Sequence, residues 1–304
     1  MHDTMKRFFD GDVWWSFKRN PLVIIAAITA LICIIGAAFA PWLSPHNPFD
    51  LKTINLLDAF TPPSWIANGK PQFVFGTDDQ GRDVLSTIMH GSRVTLLVGI
   101  SAVILSMMIG ITLGLISGYV GGKVDAFIMR IADIQLSFPA ILIALLIDGV
   151  ARAAVGKEYH DQIAVYVLIF AIAASGWVQY ARTVRGSTLV ERNKEYVQAA
   201  RVVGVPPLRI MRKHVLPNVL GPVLVLATIH LALAIQTEAT LSFLGVGVSP
   251  TSPSLGTFIN EGQKQLFSGA WWLVIFPGTM LLLIALSMNL FGDWLRDALN
   301  PRLR

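Results

Sequence analysis

Six apolar stretches, each long enough to cross a bilayer as a helix, constrain this chain more than any other feature of its sequence. A helix rises about 1.5 Å per residue, so about 20 residues span the roughly 30 Å hydrocarbon core. The stretches are Pro21–Ala40, Val94–Val120, Ala126–Val150, Gln162–Tyr180, Val219–Leu244 and Trp271–Phe291. They predict an all-α integral membrane protein built as a six-helix transmembrane bundle.

The composition agrees with a lipid environment. Of the 304 residues, 54% are hydrophobic and 14% are charged, whereas an ordinary soluble domain has about 25% charged residues. The net charge is +5, but the basic residues cluster between the apolar stretches, as in membrane proteins. Binding to nucleic acid is therefore not predicted. The single cysteine, Cys33, cannot form an intrachain disulfide and is expected to be a buried thiol.

Two of the stretches have unusual features. The third contains Arg130, Asp133 and Pro139, so its first turns are expected at the membrane interface. Arg130 and Asp133 lie one turn apart there and are predicted to pair with each other. The first stretch follows basic residues like a secretory signal, but signals have an apolar core of only about 7–15 residues. It is therefore predicted to remain as an anchor.

The distribution of Lys and Arg predicts the orientation, since cytoplasmic loops are enriched in both. Sixteen fall on the side that holds the N-terminus and seven on the other, which predicts cytoplasmic N- and C-termini. The predicted division is a cytoplasmic segment at 1–20, a first helix at 21–40, an extracytoplasmic region at 41–93 with irregular turns, a five-helix core at 94–292 that includes the cytoplasmic loop 181–218, and a cytoplasmic tail at 293–304.

Four glycines recur at every fourth position near the end of the second stretch: Gly110, Gly114, Gly118 and Gly122. This spacing puts them on one face of a helix, where a neighbouring backbone can approach closely. The pattern predicts a helix-packing seam and says nothing about function.

Polar side chains interrupt the fifth stretch at His230, Gln236, Thr237 and Glu238. A carboxylate at the centre of a bilayer costs about 2.5–3.5 kcal/mol on insertion scales, so such groups usually face the interior of a bundle or a cavity. Glu238 is either a residue of a translocation path or gate, or an interior carboxylate that holds two helices together by hydrogen bonds. The second interpretation is preferred, and both stay open.

Signatures of catalysis and of nucleotide binding are absent from the sequence. It lacks the short zinc-protease, redox and serine-hydrolase motifs. The nearest approach to a phosphate-binding loop, Gly118–Lys123, is one residue short and lacks the Ser or Thr that would hold Mg²⁺. No catalytic, cofactor-binding or metal-binding residue is therefore predicted in this chain.

The loop 181–218 is the most informative segment. Its residues up to Val203 suit a short helix, and Gly204 can end that helix because glycine tolerates the left-handed conformation of a C-terminal cap. Pro206 and Pro207 suit the first turn of a second short helix, and Pro217 marks the entry to the fifth stretch. The sequence therefore predicts a helix–glycine–helix elbow at the cytoplasmic surface.

This elbow resembles the "EAA" loop of ABC-importer permeases. The residues in register with that pattern are Gln198, Ala199, Ala200, Gly204, Leu216 and Pro217. Gln198 departs from it, because the pattern has Glu there, which puts an ion pair with the ATPase at this point in doubt. The resemblance implies that these residues form the coupling loop that contacts an ATPase.

Other stretches resemble the dipeptide/oligopeptide (peptide/nickel) family of these permeases, and specifically its second, C-type subunit. They are Gly76–Ser86, Met129–Arg130 with Asp133, Glu238–Ala239, Leu241–Gly245 and the tail Gly292–Pro301. The resemblance implies the type I ABC-importer permease fold and a bacterial cytoplasmic (inner) membrane location. The partners it implies are a second homologous permease, two cytoplasmic ATPases that bind ATP and Mg²⁺, and an extracytoplasmic binding protein. It further implies a cargo of peptides, nickel chelates, heme precursors or other small solutes.

Two other classes of membrane protein remain as alternatives. A secondary transporter or channel not driven by ATP would also be a helix bundle, but such transporters tend to contain internal repeats, and the two halves of this sequence show no convincing repeat. An intramembrane enzyme would need a catalytic pair at membrane depth, and none is apparent.

Overall fold

A computed structural model describes residues 12–50, 54–155, 157–248 and 253–299. Parts of the predicted cytoplasmic ends, 1–11 and 300–304, therefore lie outside the described residues. The α-helices are α1 Asp12–Arg19, α2 Pro21–Ala38, α3 Ala40–Leu43, α4 Val84–Val120, α5 Gly122–Leu136, α6 Ala140–Val155, α7 Lys157–Glu191, α8 Glu195–Val202, α9 Pro207–Ile210, α10 Leu216–Phe243, α11 Leu255–Gln265 and α12 Trp272–Leu299. A π-helical turn, Met211–Val215, joins α9 to α10 without a break.

Five helical segments are long and apolar enough to cross a membrane. They are Pro21–Ala38, Val84–Val120, Gln162–Glu191, Pro207–Phe243 and Trp272–Ala298. The third predicted stretch is not one straight helix, because α5 and α6 meet at an angle of 94°. Pro139 lies in the break, and proline disfavours the helical conformation of the residue before it. The described residues thus contain six spans only if this bent pair counts as one.

Two helices extend well beyond the apolar stretches that predicted them. α4 begins at Val84, ten residues before the predicted start, because Asp83 caps it: its Oδ2 accepts a hydrogen bond from the Ser86 N–H at 2.9 Å. α7 continues past Tyr180 to Glu191. The apolar stretches therefore underestimate the lengths of both helices, since hydropathy marks only the apolar part of a helix.

A close packing of α4 against α7 forms the centre of the bundle. A Cβ atom on Gly110, Gly114 or Gly118 would collide with atoms of α7, which explains their spacing. The prediction that Gly122 belongs to the same seam is wrong. α4 ends at Val120, and Gly122 begins α5 with a φ of +58° and open space around it.

Ion pairs fasten α5 to α7. Arg185 donates two hydrogen bonds to Asp125, from Nε to Oδ1 at 2.5 Å and from Nη2 to Oδ2 at 2.6 Å. Asp133 accepts a hydrogen bond from Arg182. The predicted pairing of Asp133 with Arg130 is therefore wrong, because a guanidinium on the neighbouring helix lies within reach of the same carboxylate.

A buried ion cluster joins the segment before α4 to α11. The Nε atom of Arg82 lies 2.5 Å from Oδ2 of Asp78, and its Nη2 lies 3.5 Å from Oε2 of Glu261. The side chains of Asp78 and Arg82 are only 2% and 3% exposed. Burial raises the pKa of both Asp78 and Glu261 above the usual values, against the opposing effect of Arg82. This cluster fixes the non-membrane segment on top of the bundle.

Candidate functional site

The predicted elbow is present between α8 and α9. Gly204 follows the last turn of α8 with a φ of +83°, and its N–H donates to the Arg201 carbonyl at 3.0 Å. The next N–H, of Val205, donates back to the Ala200 carbonyl at 3.0 Å. This is a left-handed helix cap of the kind that glycine adopts without strain. α9 then begins at Pro207.

The elbow is held firmly against the ends of α4, α7 and α10. Its apolar side chains Val197, Ile210 and Val215 are fully buried against those helices. Tyr196 donates to the Glu191 carboxylate and accepts a hydrogen bond from Asn218 Nδ2 at 3.1 Å. Loss of hydration and the bond to Glu191 raise the pKa of Tyr196 to about 12, so the phenol stays protonated. The elbow is thus a fixed part of the bundle.

The outer surface of the elbow is apolar and uncovered among the described residues. Val202 is 88% exposed, Val203 81% and Leu208 63%. We call these three residues the elbow tip. They flank Gly204, and no atom lies within 4 Å of where a Cβ would stand on that glycine.

The other residues of the predicted coupling loop surround the elbow tip. Gln198 and Ala199 are exposed, and Ala200 is half-buried. The Gln198 side chain donates to the Asn193 carbonyl at 3.0 Å, so this amide is used within the chain. Leu216 and Pro217 form the first turn of α10.

A half-open cavity of about 140 Å³, lined by apolar side chains and a group of polar ones, lies between α4, α6, α7 and α10. Two predicted residues, His230 and Thr237, line it. His230 Nε2 lies 3.3 Å from Gln179 Oε1, and the His230 ring packs edge-on against Tyr180 at a centroid distance of 4.9 Å. Gln179 and Tyr180 were missed in the sequence. Their position at the end of the fourth apolar stretch is the signal that identifies them.

Glu238 and Gln236 are not among the residues that line this cavity. Gln236 is exposed, whereas Glu238 is fully buried. The Ser242 hydroxyl donates to Glu238 Oε1 at 2.7 Å, whereas Glu238 Oε2 has no hydrogen-bond partner among the described residues, although Thr95 and Ser254 lie near the carboxylate. Glu238 therefore lies where α10 meets α4 and the start of α11. The four polar residues that were predicted together thus lie in different environments: His230 and Thr237 line the cavity, Gln236 is exposed and Glu238 is buried.

The sequence of this chain matches two models of known protein families. Residues 110–304 match the family model described as binding-protein-dependent transport system inner membrane component. The chain belongs to that family. Residues 7–63 also match the model of the N-terminal TM domain of oligopeptide transport permease C, which confirms the resemblance to C-type permeases.

Several relatives match this permease along almost their whole length. It is 41% identical to the dipeptide transport system permease protein DppC of Escherichia coli (strain K12), over 96% of this chain and 93% of the relative. It is 39% identical to the di/tripeptide transport system permease protein DppC of Pseudomonas aeruginosa (strain UCBPP-PA14), over 96% and 92%. The oligopeptide transport system permease protein OppC of Bacillus subtilis (strain 168) is 37% identical, over 96% and 90%.

Among solved structures, the permease resembles a chain of the MetNI methionine ABC transporter in an inward-facing conformation. The TM-score is 0.55 at 21% identity, and the match covers 70% of this permease and 96% of that chain. This likeness shows a shared fold. Together with the family, it makes this chain a multi-pass transport protein of the bacterial inner membrane and not an enzyme.

Proposed function

We propose that this permease forms half of the translocation path of a binding-protein-dependent ABC importer for peptides or a related small solute. In this proposal a separate ATPase drives it through the elbow. The observation that carries the proposal is the elbow tip, an exposed apolar surface on an element that is packed firmly against the bundle. Exposed apolar side chains on a fixed surface are typical of a protein–protein contact.

The continuity of the helix behind the elbow supports mechanical coupling. Pro207–Phe243 is one helical segment, and His230, which lines the cavity, lies about 35 Å along it at 1.5 Å per residue. ATP binding can change the inward/outward equilibrium only through a contact that differs between the two states. A helix that joins the contact surface to the cavity provides such a connection.

The remaining parts of the proposal follow from the family and the charge distribution. The partners are a second homologous permease, two cytoplasmic ATPases that bind ATP and Mg²⁺, and an extracytoplasmic binding protein. The bent pair α5–α6 counts as one of six spans, and both termini are cytoplasmic. The coupling residues are Gln198, Ala199, Ala200, Gly204, Leu216 and Pro217.

The test is peptide uptake and ATP hydrolysis by the complete complex with Gly204→Val. A residue with a Cβ at this left-handed position costs about 1 kcal/mol or more, and the strain misaligns α8 with α9. We expect ATPase recruitment or coupled uptake to fall at least about 5-fold, with normal membrane insertion. Ala200→Trp is expected to act in the same direction by obstructing docking.

Gly186→Val is the matched control. Gly186 lies within α7 and no neighbouring atom stands within 4 Å of its Cβ position, so valine there adds bulk without left-handed strain. We expect near-normal uptake from this variant. Normal assembly and uptake with Gly204→Val and Ala200→Trp would show that the ATPase contact lies elsewhere.

A further inference from the structure

The larger polar side chains that line the cavity between α4, α6, α7 and α10 come from two helices. Gln179 and Tyr180 lie on α7, and His230 and Thr237 lie on α10. We call these four residues the polar patch. Its surroundings in the cavity are small or apolar side chains with two serines, and no Asp, Glu, Lys or Arg lines the described cavity.

Two side chains of the polar patch keep hydrogen-bonding groups that no other described residue uses fully. The Tyr180 side chain is fully buried, and its hydroxyl has no partner among the described residues. The Thr237 hydroxyl donates to the Leu233 carbonyl at 2.8 Å, so its oxygen remains available only as an acceptor. Gln179 and His230 contact each other. The residues that line the cavity therefore include an O–H donor without a partner, on the buried Tyr180, and an acceptor oxygen on Thr237.

A peptide main chain has the matching groups. Each ordinary peptide unit carries one C=O acceptor and one N–H donor, whereas lipid chains carry neither in the hydrocarbon core. A buried phenol without a partner is unfavourable, and a passing C=O group would satisfy it. A lining without Asp, Glu, Lys or Arg forms no ion pairs through permanently charged side chains with the side chains of the cargo, which suits a carrier of varied peptides.

We propose that the polar patch binds the peptide main chain during passage, with Tyr180 donating to a carbonyl and Thr237 accepting from an amide N–H. Gln179 and His230 hold the two helices in register around this site. The inference rests on the proposed function, since it assumes a peptide cargo, and it adds which chemical group of the cargo this chain contacts.

The test is uptake by the complete complex of alanyl-alanine and of its analogue methylated at the peptide nitrogen. Tyr180→Phe removes only the hydroxyl and is expected to lower uptake efficiency of both compounds by about 3- to 10-fold. Thr237→Val is expected to lower uptake of alanyl-alanine by a similar factor. It should leave uptake of the methylated analogue unchanged, because that compound has no amide N–H to donate.

Thr240→Val is the matched control on the same helix. The Thr240 hydroxyl donates to the carbonyl four residues earlier at 2.8 Å, as the Thr237 hydroxyl does, but Thr240 does not line the cavity. We expect uptake by this variant to equal that of the wild type. Any effect common to both threonines therefore reports on the helix and not on the cavity.

Three results would overturn the inference. Wild-type uptake in Tyr180→Phe and Thr237→Val would remove the patch from the path while leaving the proposed import function intact. Equal losses in Thr237→Val and Thr240→Val would assign the effect to helix structure. A wild-type complex that imports no peptide would contradict the proposed cargo and the main-chain contact together.

Discussion

At the scale of single residues, Glu238 is the group whose environment most constrains its role. It is fully buried, away from the cavity, and receives a hydrogen bond from Ser242. We predict that Glu238→Leu lowers the stability of the chain by about 1–3 kcal/mol, because the buried Ser242 hydroxyl loses its acceptor. Glu238→Gln, which keeps a side-chain oxygen, should lose less.

Thermal unfolding of the purified complex, with uptake measured per folded complex, checks this prediction. Both variants should transport at nearly the wild-type rate when uptake is divided by the amount of folded complex. If Glu238→Leu kept full stability and lost transport, Glu238 would be a gate or path residue instead.

At the scale of elements, the buried ion cluster should control how firmly the segment before α4 is attached to α11. Arg82→Met leaves the carboxylates of Asp78 and Glu261 without their cationic partner, which costs about 3–5 kcal/mol for a buried pair. Gln263→Met, at an exposed position on α11, is the control, with a change within about 0.5 kcal/mol.

The loss in Arg82→Met should depend on pH with a defined sign. The pKa values of Asp78 and Glu261 are already raised by burial and are lowered by Arg82, so removing Arg82 raises them further. A carboxyl with a raised pKa in the folded state contributes most stability below its unfolded pKa and loses it as pH rises through the folded pKa. The midpoint difference from wild type should be smaller at about pH 5 than at about pH 8. An equal difference at both pH values would show that removing Arg82 does not raise the pKa values of Asp78 and Glu261.

The elements also show what the sequence alone could predict. Helix type and five of the six predicted spans followed from hydropathy, because apolar length decides which segments enter a bilayer. The ends of α4 and α7 did not, since a cap such as Asp83 extends a helix beyond its apolar part. The elbow was predicted in detail because Gly204 and the following prolines restrict the backbone locally. Only some of the residues that line the cavity were predicted, since the contact between His230 and Gln179 joins residues far apart in sequence.

At the scale of the whole molecule, coupling through the elbow requires that the elbow tip and the segment before α4 lie on opposite sides of the membrane. Val203 and Leu57 are matched reporters, at 81% and 90% exposure. The only cysteine, Cys33, is buried, so a cysteine introduced at either position is labelled selectively.

The most direct test of coupling through the elbow is cysteine cross-linking in the complete complex. We predict that Val203→Cys cross-links to the ATPase subunit and resists a membrane-impermeant maleimide added from outside intact cells. Leu57→Cys should react with that maleimide and form no cross-link to the ATPase. External labelling of Val203→Cys, or a cross-link from Leu57→Cys to the ATPase in its place, would contradict the central claim.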